Sequence, residues 1–349
     1  MEKSSIALLK KLCEIPGAPG FEKKIRDIVI NEIKDYVDTV EVDNLGNVIA
    51  TKTGNNNGPK VMLAAHMDEI GFIAKHIDEN GFIRFHTLGG FDPKTLTAQR
   101  VIIHGKEDIL GVMGSKPIHL MKTEERNKAV QIEDFFIDTG RSAREINDLV
   151  SVGDPITRER ELIEMGDCVN CKSLDNRVSV FILIETLKKL KGQQATVYGV
   201  FTVQEEVGIR GAQVAAHQLN PDFGIAIDTT IAFDLPGAQN HEKVTELGKG
   251  PAIKIMDSMT ICDPRMVRFL KKTADNLNIT WQPELLTAGG TDTAGIQRTG
   301  KSGSIAGAVS VPTRHLHQVI EMCHKKDITG AVDLLIGSLK AIHQFNREH

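Results

Sequence analysis

Residues 195–203 form an almost continuously apolar, β-branched run that ends on Gln204 and two adjacent glutamates, Glu205 and Glu206. Such a run reads as a strand buried on both faces, and that requires helices on both sides of a largely parallel sheet. Carboxylates at the end of such a strand need compensation, because an ionised, unpaired carboxylate is costly in a low-dielectric setting. A metal ion is one source of compensation; the positive end of a helix beginning near Gly208 is another. Neighbouring residues on an extended chain point to opposite sides, so Glu205 and Glu206 are expected to do different work.

A second run of the same kind, residues 60–65, ends on His66, Met67, Asp68 and Glu69. Two buried strands therefore finish in residues able to hold a metal. Around them, apolar positions at helical spacing cover residues 6–13 and 21–36, and a strand pair covers 39–42 and 48–51. An Asn-rich loop follows at 54–59. Beyond residue 173 the pattern predicts an amphipathic helix at 174–190, a strand at 196–203, a helix at 211–219 and a strand at 223–227 ending in Asp228. A strand at 252–256, a helix at 264–277, a strand at 303–309 and a closing helix at 328–344 complete it. Strands alternating with helices predict an α/β fold, a mixed doubly wound sheet with helices on both faces. Between residues 70 and 161 the texture changes to short alternating strands, such as 82–86, 100–104 and 108–113, with glycine turns and one helical stretch near 142–149. That predicts a small inserted β barrel or sandwich. The expected organisation is one domain from residues 1–69 and 162–349, with the barrel at 70–161 inserted.

A length of 349 residues suits two units at a prior of about 150 residues each. The formal charge of −4 gives no case for nucleic acid or an anionic membrane. No apolar run reaches the ~18 residues of a membrane span, and residues 1–15 lack a signal-peptide core, so the expected location is cytoplasmic. Five cysteines fit reduced thiols. Cys168 and Cys171 have the spacing of a zinc or redox pair but lack a clear context for it, and are read as incidental thiols, with a redox role as the alternative.

The metal-capable residues at predicted strand ends or in nearby loops are His66, Asp68, Asp175, Glu205, Glu206, Asp228 and His317. Side chains at the carboxyl ends of several strands converge on one crevice in an open α/β sheet. Imidazole and carboxylate without thiolate suit a catalytic zinc or related divalent ion. Asp68 is placed to orient His66, although a strand-end cap is the alternative, as a turn cap is for Asp228. His76, His86, His104 and His119 are each read as surface or hydrogen-bonded histidines.

Five motifs then carry a resemblance. Ala65-His66-Met67-Asp68-Glu69-Ile70-Gly71, Ser173-Leu174-Asp175-Asn176-Arg177, Val203-Gln204-Glu205-Glu206-Val207-Gly208, Ile227-Asp228 and Thr313-Arg314-His315-Leu316-His317 resemble, in order and spacing, the tetrahedral (TET) metallo-aminopeptidases, which belong to the di-zinc exopeptidases. The resemblance spans essentially the whole chain and implies two divalent ions per subunit, zinc foremost, with cobalt and manganese compatible. It implies that Asp175 bridges them, that His66 and Asp228 complete one site, and that Glu206 and His317 complete the other. Glu205 becomes the general base and Asp68 a catalytic-site residue, while Gly290 and Asp292 fall in a family loop near the substrate. The implied reaction is removal of the N-terminal residue of short peptides by a metal-bridging hydroxide. The implied assembly is a homo-oligomer of dimers, a tetrahedral dodecamer, with residues 70–161 as the assembly domain. Two features depart from the family: His315 stands where an aromatic residue is usual, and Gln318-Val319-Ile320-Glu321 replaces the usual Ser-Pro segment. Competing classes are another metal-dependent amidase, deacylase or carboxypeptidase, a glycosidase working through two carboxylic acids, and a non-catalytic metal-stabilised scaffold.

Overall fold

The computed structural model describes residues 1–55 and 58–348. Asn56 and Asn57 of the expected Asn-rich loop lie outside the described residues. The chain opens with α1 (Lys3–Glu14) and α2 (Lys23–Ile33), then an antiparallel pair, β1 (Thr39–Val42) and β2 (Val48–Lys52). Asp43 turns this pair, its Oδ1 accepting from the N–H groups of Leu45, Gly46 and Asn47. β3 (Lys60–His66) is buried at every residue after the first.

Six short strands come next: β4 (Gly71–Ile77), β5 (Ile83–Leu88), β6 (Arg100–His104), β7 (Asp108–Gly114), β8 (Phe136–Asp138) and β9 (Pro155–Arg158). They close a barrel in the order β4-β5-β8-β7-β6-β9. Phe72, Ile83, Val101, Ile103, Ile137 and Ile156 fill its interior, as alternate residues of short strands must when the sheet closes on itself. Where one helical stretch was expected, the structure has α3 (Thr123–Arg126), α4 (Ala143–Leu149) and three 3-10 turns at Pro93–Leu96, Ile118–Leu120 and Ile132–Asp134. These pieces are too short to show helical periodicity.

The remainder comprises β10 (Ile163–Met165), β11 (Cys168–Cys171), α5 (Leu174–Lys189), β12 (Thr196–Thr202), α6 (Arg210–Leu219) and β13 (Phe223–Ile231). Then follow β14 (Ala252–Met256), α7 (Pro264–Asn276), β15 (Gln282–Leu285), α8 (Asp292–Arg298), β16 (Ile305–Arg314), β17 (Glu321–His324) and α9 (Lys325–Ala341). Among the described residues, one sheet runs β1-β2-β12-β3-β13-β16-β17-β11-β10, with β14 and β15 branching from β16. Its centre, β12, β3, β13 and β16, is parallel; the flanks are antiparallel. Alternation along the central strands serves two layers. Val61, Leu63, Val197 and Phe201 belong to the layer with α1, α2, α5, α7 and α9. Met62, Ala64 and Val200 face α6 and α8, where Ala212, Ala215, Ala216 and Ala294 allow close approach.

Three expectations are corrected. α5 is not amphipathic: thirteen of its residues are buried, because it lies across β3 and β13 with α1 and α9 over it. β13 does not stop at residue 227 but runs to Ile231, and β16 runs from Ile305 to Arg314 rather than 303–309; the two pair along nine residues. The short elements β15, β17 and α8 had no distinct signal in the sequence.

Candidate metal centre

The carboxyl ends of the parallel strands bring the ligand candidates together. β3 ends on His66, level with Thr202 at the end of β12. β13 keeps the β3 register through Ala226 opposite Ala64, so Asp228 stands level with His66 although its own strand continues against β16. Asp175 heads α5, its backbone still outside helical values and its peptide to Asn176 cis. Asn176 Nδ2 donates to the Ile227 carbonyl, 3.0 Å away, tying this segment to Asp228. Arg177, fully buried, donates from Nε to the Met67 carbonyl and from Nη1 to the Leu12 and Ile15 carbonyls, so it anchors the His66–Asp68 corner from below.

After β12, Gln204 adopts a left-handed backbone, φ 55°, and turns Glu205 and Glu206 into the crevice. Asp68 fastens this corner: its Oδ1 accepts from Glu205 N–H and its Oδ2 from Glu206 N–H, each at 3.1 Å. Glu22 Oε1 accepts from Gln204 N–H at 3.1 Å, and Asn47 bridges Val203 N–H and the Gly211 carbonyl. Gly211 has to be glycine, since a Cβ would lie 2.4 Å from Asn47 Oδ1 and 2.5 Å from the Val203 carbonyl oxygen. α6 starts only at Arg210, with no acidic residue in its first turn. The glutamates are therefore not a helix start.

Two groups of three result. His66 with Asp175 and Asp228 forms one, and Asp175 with Glu206 and His317 forms the other; in each, the ligand-capable atoms lie within 4.8 Å of one another. Asp175 is shared: Oδ1 is 3.4 Å from His66 Nε2, and Oδ2 is 3.3 Å from His317 Nε2. Asp228 Oδ1 lies 3.7 Å from His66 Nε2, and Glu206 Oε2 lies 3.5 Å from His317 Nε2. Glu205 is in neither group, its Oε2 being 3.8 Å from His66 Nε2. Both histidines present Nε2 because Nδ1 is engaged elsewhere, for His66 with the Asp68 carbonyl at 3.1 Å and for His317 with the Gly90 carbonyl at 2.9 Å. The Asp68 carboxylate, expected to orient His66, is 3.6 Å from Nδ1; its main-chain carbonyl makes that hydrogen bond, and the carboxylate is occupied with the glutamate corner. Gly90 belongs to the inserted segment, which thus supports a candidate ligand without supplying one. His315, although left-handed like His317, is in neither group.

The electrostatics favour a cation. Burial lifts Glu205 well above the usual carboxylate range, with Asp228, Glu206 and Asp292 adding repulsion and His66 opposing it. Burial likewise lifts Glu206 to about 7 and raises Asp228. His317 is depressed by burial, but Glu206 and Asp175 outweigh that and carry it to about 10. Asp175 Oδ1 and Glu206 Oε1 are buried without a hydrogen-bond partner among the described residues. Orphaned carboxylate oxygens, nitrogen and oxygen donors, and no thiolate make a set that fits divalent ions.

The centre opens into a cavity of about 590 Å³ bounded by Thr230, Ile231, Lys254, Met259, Gly290 and Leu316, among others. Lys254 is ion-paired at 3.0 Å to both Asp257 and Glu284, so its charge is neutralised. Gly290 lines this cavity, but Asp292 does not; it is buried beneath, accepting from Thr202 Oγ1. Cys168 and Cys171 lie on β11, away from this cavity, and are free thiols. Residues missed by sequence reading include Glu22, Asn47, Gly90 and Glu321. All act through main-chain groups, and only Glu321, a lone carboxylate four residues after His317 in an apolar run, left a visible signal.

A relative from Acetivibrio thermocellus is 40% identical over 97% of this chain and 99% of its own. An aminopeptidase of the archaeon Desulfurococcus kamchatkensis superposes with a TM-score of 0.93 at 36% identity, covering 97% of this chain and 94% of that one. A Pyrococcus horikoshii TET1 peptidase, described as able to assemble into a tetrahedron or a large octahedral shell, superposes with a TM-score of 0.85 at 33% identity, covering 95% and 98% of the two chains. The pattern of the M42 glutamyl aminopeptidase family matches residues 46–334. With the fold, the motifs and the family pattern in agreement over most of its length, this chain belongs to the M42 glutamyl aminopeptidase family and is by class an aminopeptidase, a hydrolase of peptide bonds.

Proposed function

We propose that the aminopeptidase reaction depends on two divalent ions, one held by His66, Asp175 and Asp228 and the other by Asp175, Glu206 and His317. The observation that carries this reading is Asp175, whose two oxygens each face a different histidine. Two ions so held supply Lewis-acid activation of water and of the scissile carbonyl. Zinc is the ion we assign, and cobalt and manganese suit the same donors.

Glu205 is the general base. It lies beside the centre without belonging to either ligand group, and burial lifts its proton affinity. A carboxylate oxygen of Glu205 accepts the proton of the attacking water and returns it to the leaving amine nitrogen. Asp68 keeps that carboxylate in place by holding the main chain of Glu205 and Glu206. The cavity beside the centre receives the N-terminal residue of a short peptide, with Gly290 in its wall.

Residues 70–161 act as the assembly domain, joining subunits into dimers and these into a tetrahedral dodecamer, as the architecture of the TET1 peptidase suggests. Leu110, Ile118, Leu120 and Val152, all in this segment, expose large apolar side chains that suit an interface. No helix among the described residues is long and apolar enough to cross a membrane. Five free cysteines, four of them buried, suit the reducing cytoplasm.

The test is hydrolysis of aminoacyl anilides by metal-stripped protein, with zinc, cobalt or manganese returned, against N-acetylated versions of the same substrates. Activity that survives stripping, or equal cleavage of blocked substrates, overturns the proposal.

A further inference from the structure

The candidate ligands sit mostly on loops and element ends, and the Glu205–Glu206 corner is held by Asp68. Two other ligand-bearing segments, the head of α5 with Asp175 and the turn after β16 with His317, are joined by one side chain. Glu321, the first residue of β17, is fully buried; its Oε2 accepts from the Asp175 N–H at 2.9 Å and its Oε1 from the His317 N–H at 3.0 Å. We propose that Glu321 is a positioning residue of the centre, a two-point clamp that sets the spacing between the shared ligand Asp175 and the terminal ligand His317.

The chemistry of the clamp requires a carboxylate. Two main-chain donors converge on it, and an ionised carboxylate offers acceptors at both oxygens and no donor. An amide offers one acceptor and turns an NH₂ group against the other N–H. Burial pushes the Glu321 carboxyl well above the usual carboxylate range and Arg158 of β9 opposes that shift; the Arg158 Nη2 donates to the Lys172 carbonyl at 2.7 Å, while its Nε and Nη1 have no hydrogen-bond partner among the described residues. The two clamped segments are unequally supported. Asp175 heads a helix buried along most of its length, whereas His317 lies in a turn, with a left-handed backbone and a side chain 34% exposed. Loss of the clamp therefore releases His317 more than Asp175. This inference rests on the two-ion reading.

The experiment compares the wild-type protein with Glu321→Gln and Glu321→Asp. Gln keeps the length and loses one acceptor; Asp keeps the charge but is one methylene too short to span both N–H groups. Metal-stripped proteins are titrated with zinc against a chromogenic chelator, their metal-free melting is recorded, and kcat and KM are measured with and without excess zinc. In the expected result the wild type binds two ions. Both variants then bind one of the two about 10- to 100-fold more weakly, with kcat reduced, KM little changed and activity restored by excess zinc. If both variants hold two ions as tightly as the wild type, the inference is overturned. If Asp alone matches the wild type, charge rather than the two-point clamp is what counts, and the inference is again overturned. A wild type that does not bind two ions overturns the two-ion reading itself. Should Gln fail to melt cooperatively, the Asp variant decides.

Discussion

Glu205 and Glu206 are adjacent in sequence, yet their isosteric amides should fail in different ways. Glu206 Oε2 sits 3.5 Å from His317 Nε2 and shares a ligand group with Asp175, whereas Glu205 lies outside both groups. Both main-chain N–H groups are held by Asp68, so exchanging either side chain leaves the corner anchored. Glu205→Gln removes only a proton acceptor. The loss of a positioned general base lowers kcat by about 10²- to 10⁴-fold, roughly 3 to 5 kcal/mol of barrier. Two ions should remain bound, and added zinc should not restore the rate. Glu206→Gln replaces an anionic ligand with a neutral amide, so one ion is held weakly and activity partly returns in excess zinc. The assay is elemental analysis beside kcat for both variants across a zinc titration. A metal-poor, zinc-rescuable Glu205→Gln beside a Glu206→Gln that keeps both ions would reverse the assignment. Full metal content and near-normal rates in both would remove this corner from the catalytic centre.

Asp175→Asn should lose more metal than any other single replacement, because each oxygen faces one of the two histidines and the charge of the shared ligand holds both cations together. Two tightly bound ions in the purified variant contradict the bridging role. The metal-free protein should lose stability as pH rises. Burial lifts Glu206 from 4.5 to about 7 and Asp292 from 3.8 to about 7, so the stability tied to their protonated forms is present below their unfolded values and lost as pH passes 7. His317 moves from 6.5 to about 10, since Glu206 and Asp175 outweigh the opposing effect of burial; its contribution is complete below 6.5 and lost as pH rises through 10. All three act in the same direction, so the metal-free melting temperature should fall from about pH 5 to about pH 9 while the gain on adding zinc grows. Thermal melts with and without zinc check this, and a metal-free melting temperature that climbs across that window refutes it.

Much of the fold and most of the candidate centre could be read along the chain, for identifiable reasons. β3 and β12 are continuous apolar runs, which only a doubly covered sheet accommodates. Three barrel strands, β5, β6 and β7, alternate regularly enough to be seen singly, as in Ile109, Gly111 and Met113 pointing to one side of β7. α5 was misread because polar residues such as Arg177, Ser179 and Thr186 suggest contact with solvent, whereas all three are buried. Arg177 donates from Nε and Nη1 to carbonyls at Leu12, Ile15 and Met67, more than a hundred residues away, and no local pattern reports such partners. β17 was missed because four residues containing a glutamate and a histidine do not look like an inner strand until β11 and β16 flank them.

The sequence by itself determined which residue types stand at the ends of the buried strands, because ligand chemistry and strand burial are both properties of short stretches. It also determined that a segment of short strands interrupts an α/β chain, because the two periodicities differ. Only the tertiary structure decided which atoms come together. The hydrogen bonds of Asp68 to Glu205 and Glu206, of the Gly90 carbonyl to His317 and of Glu321 to Asp175 and His317 depend on main-chain groups whose positions follow from sheet register and turn geometry, and Asp175 comes between two histidines only because three distant segments end side by side. A main-chain N–H or carbonyl is the same at every residue, so the sequence carries no mark of which ones a distant side chain will reach; packing alone selects them.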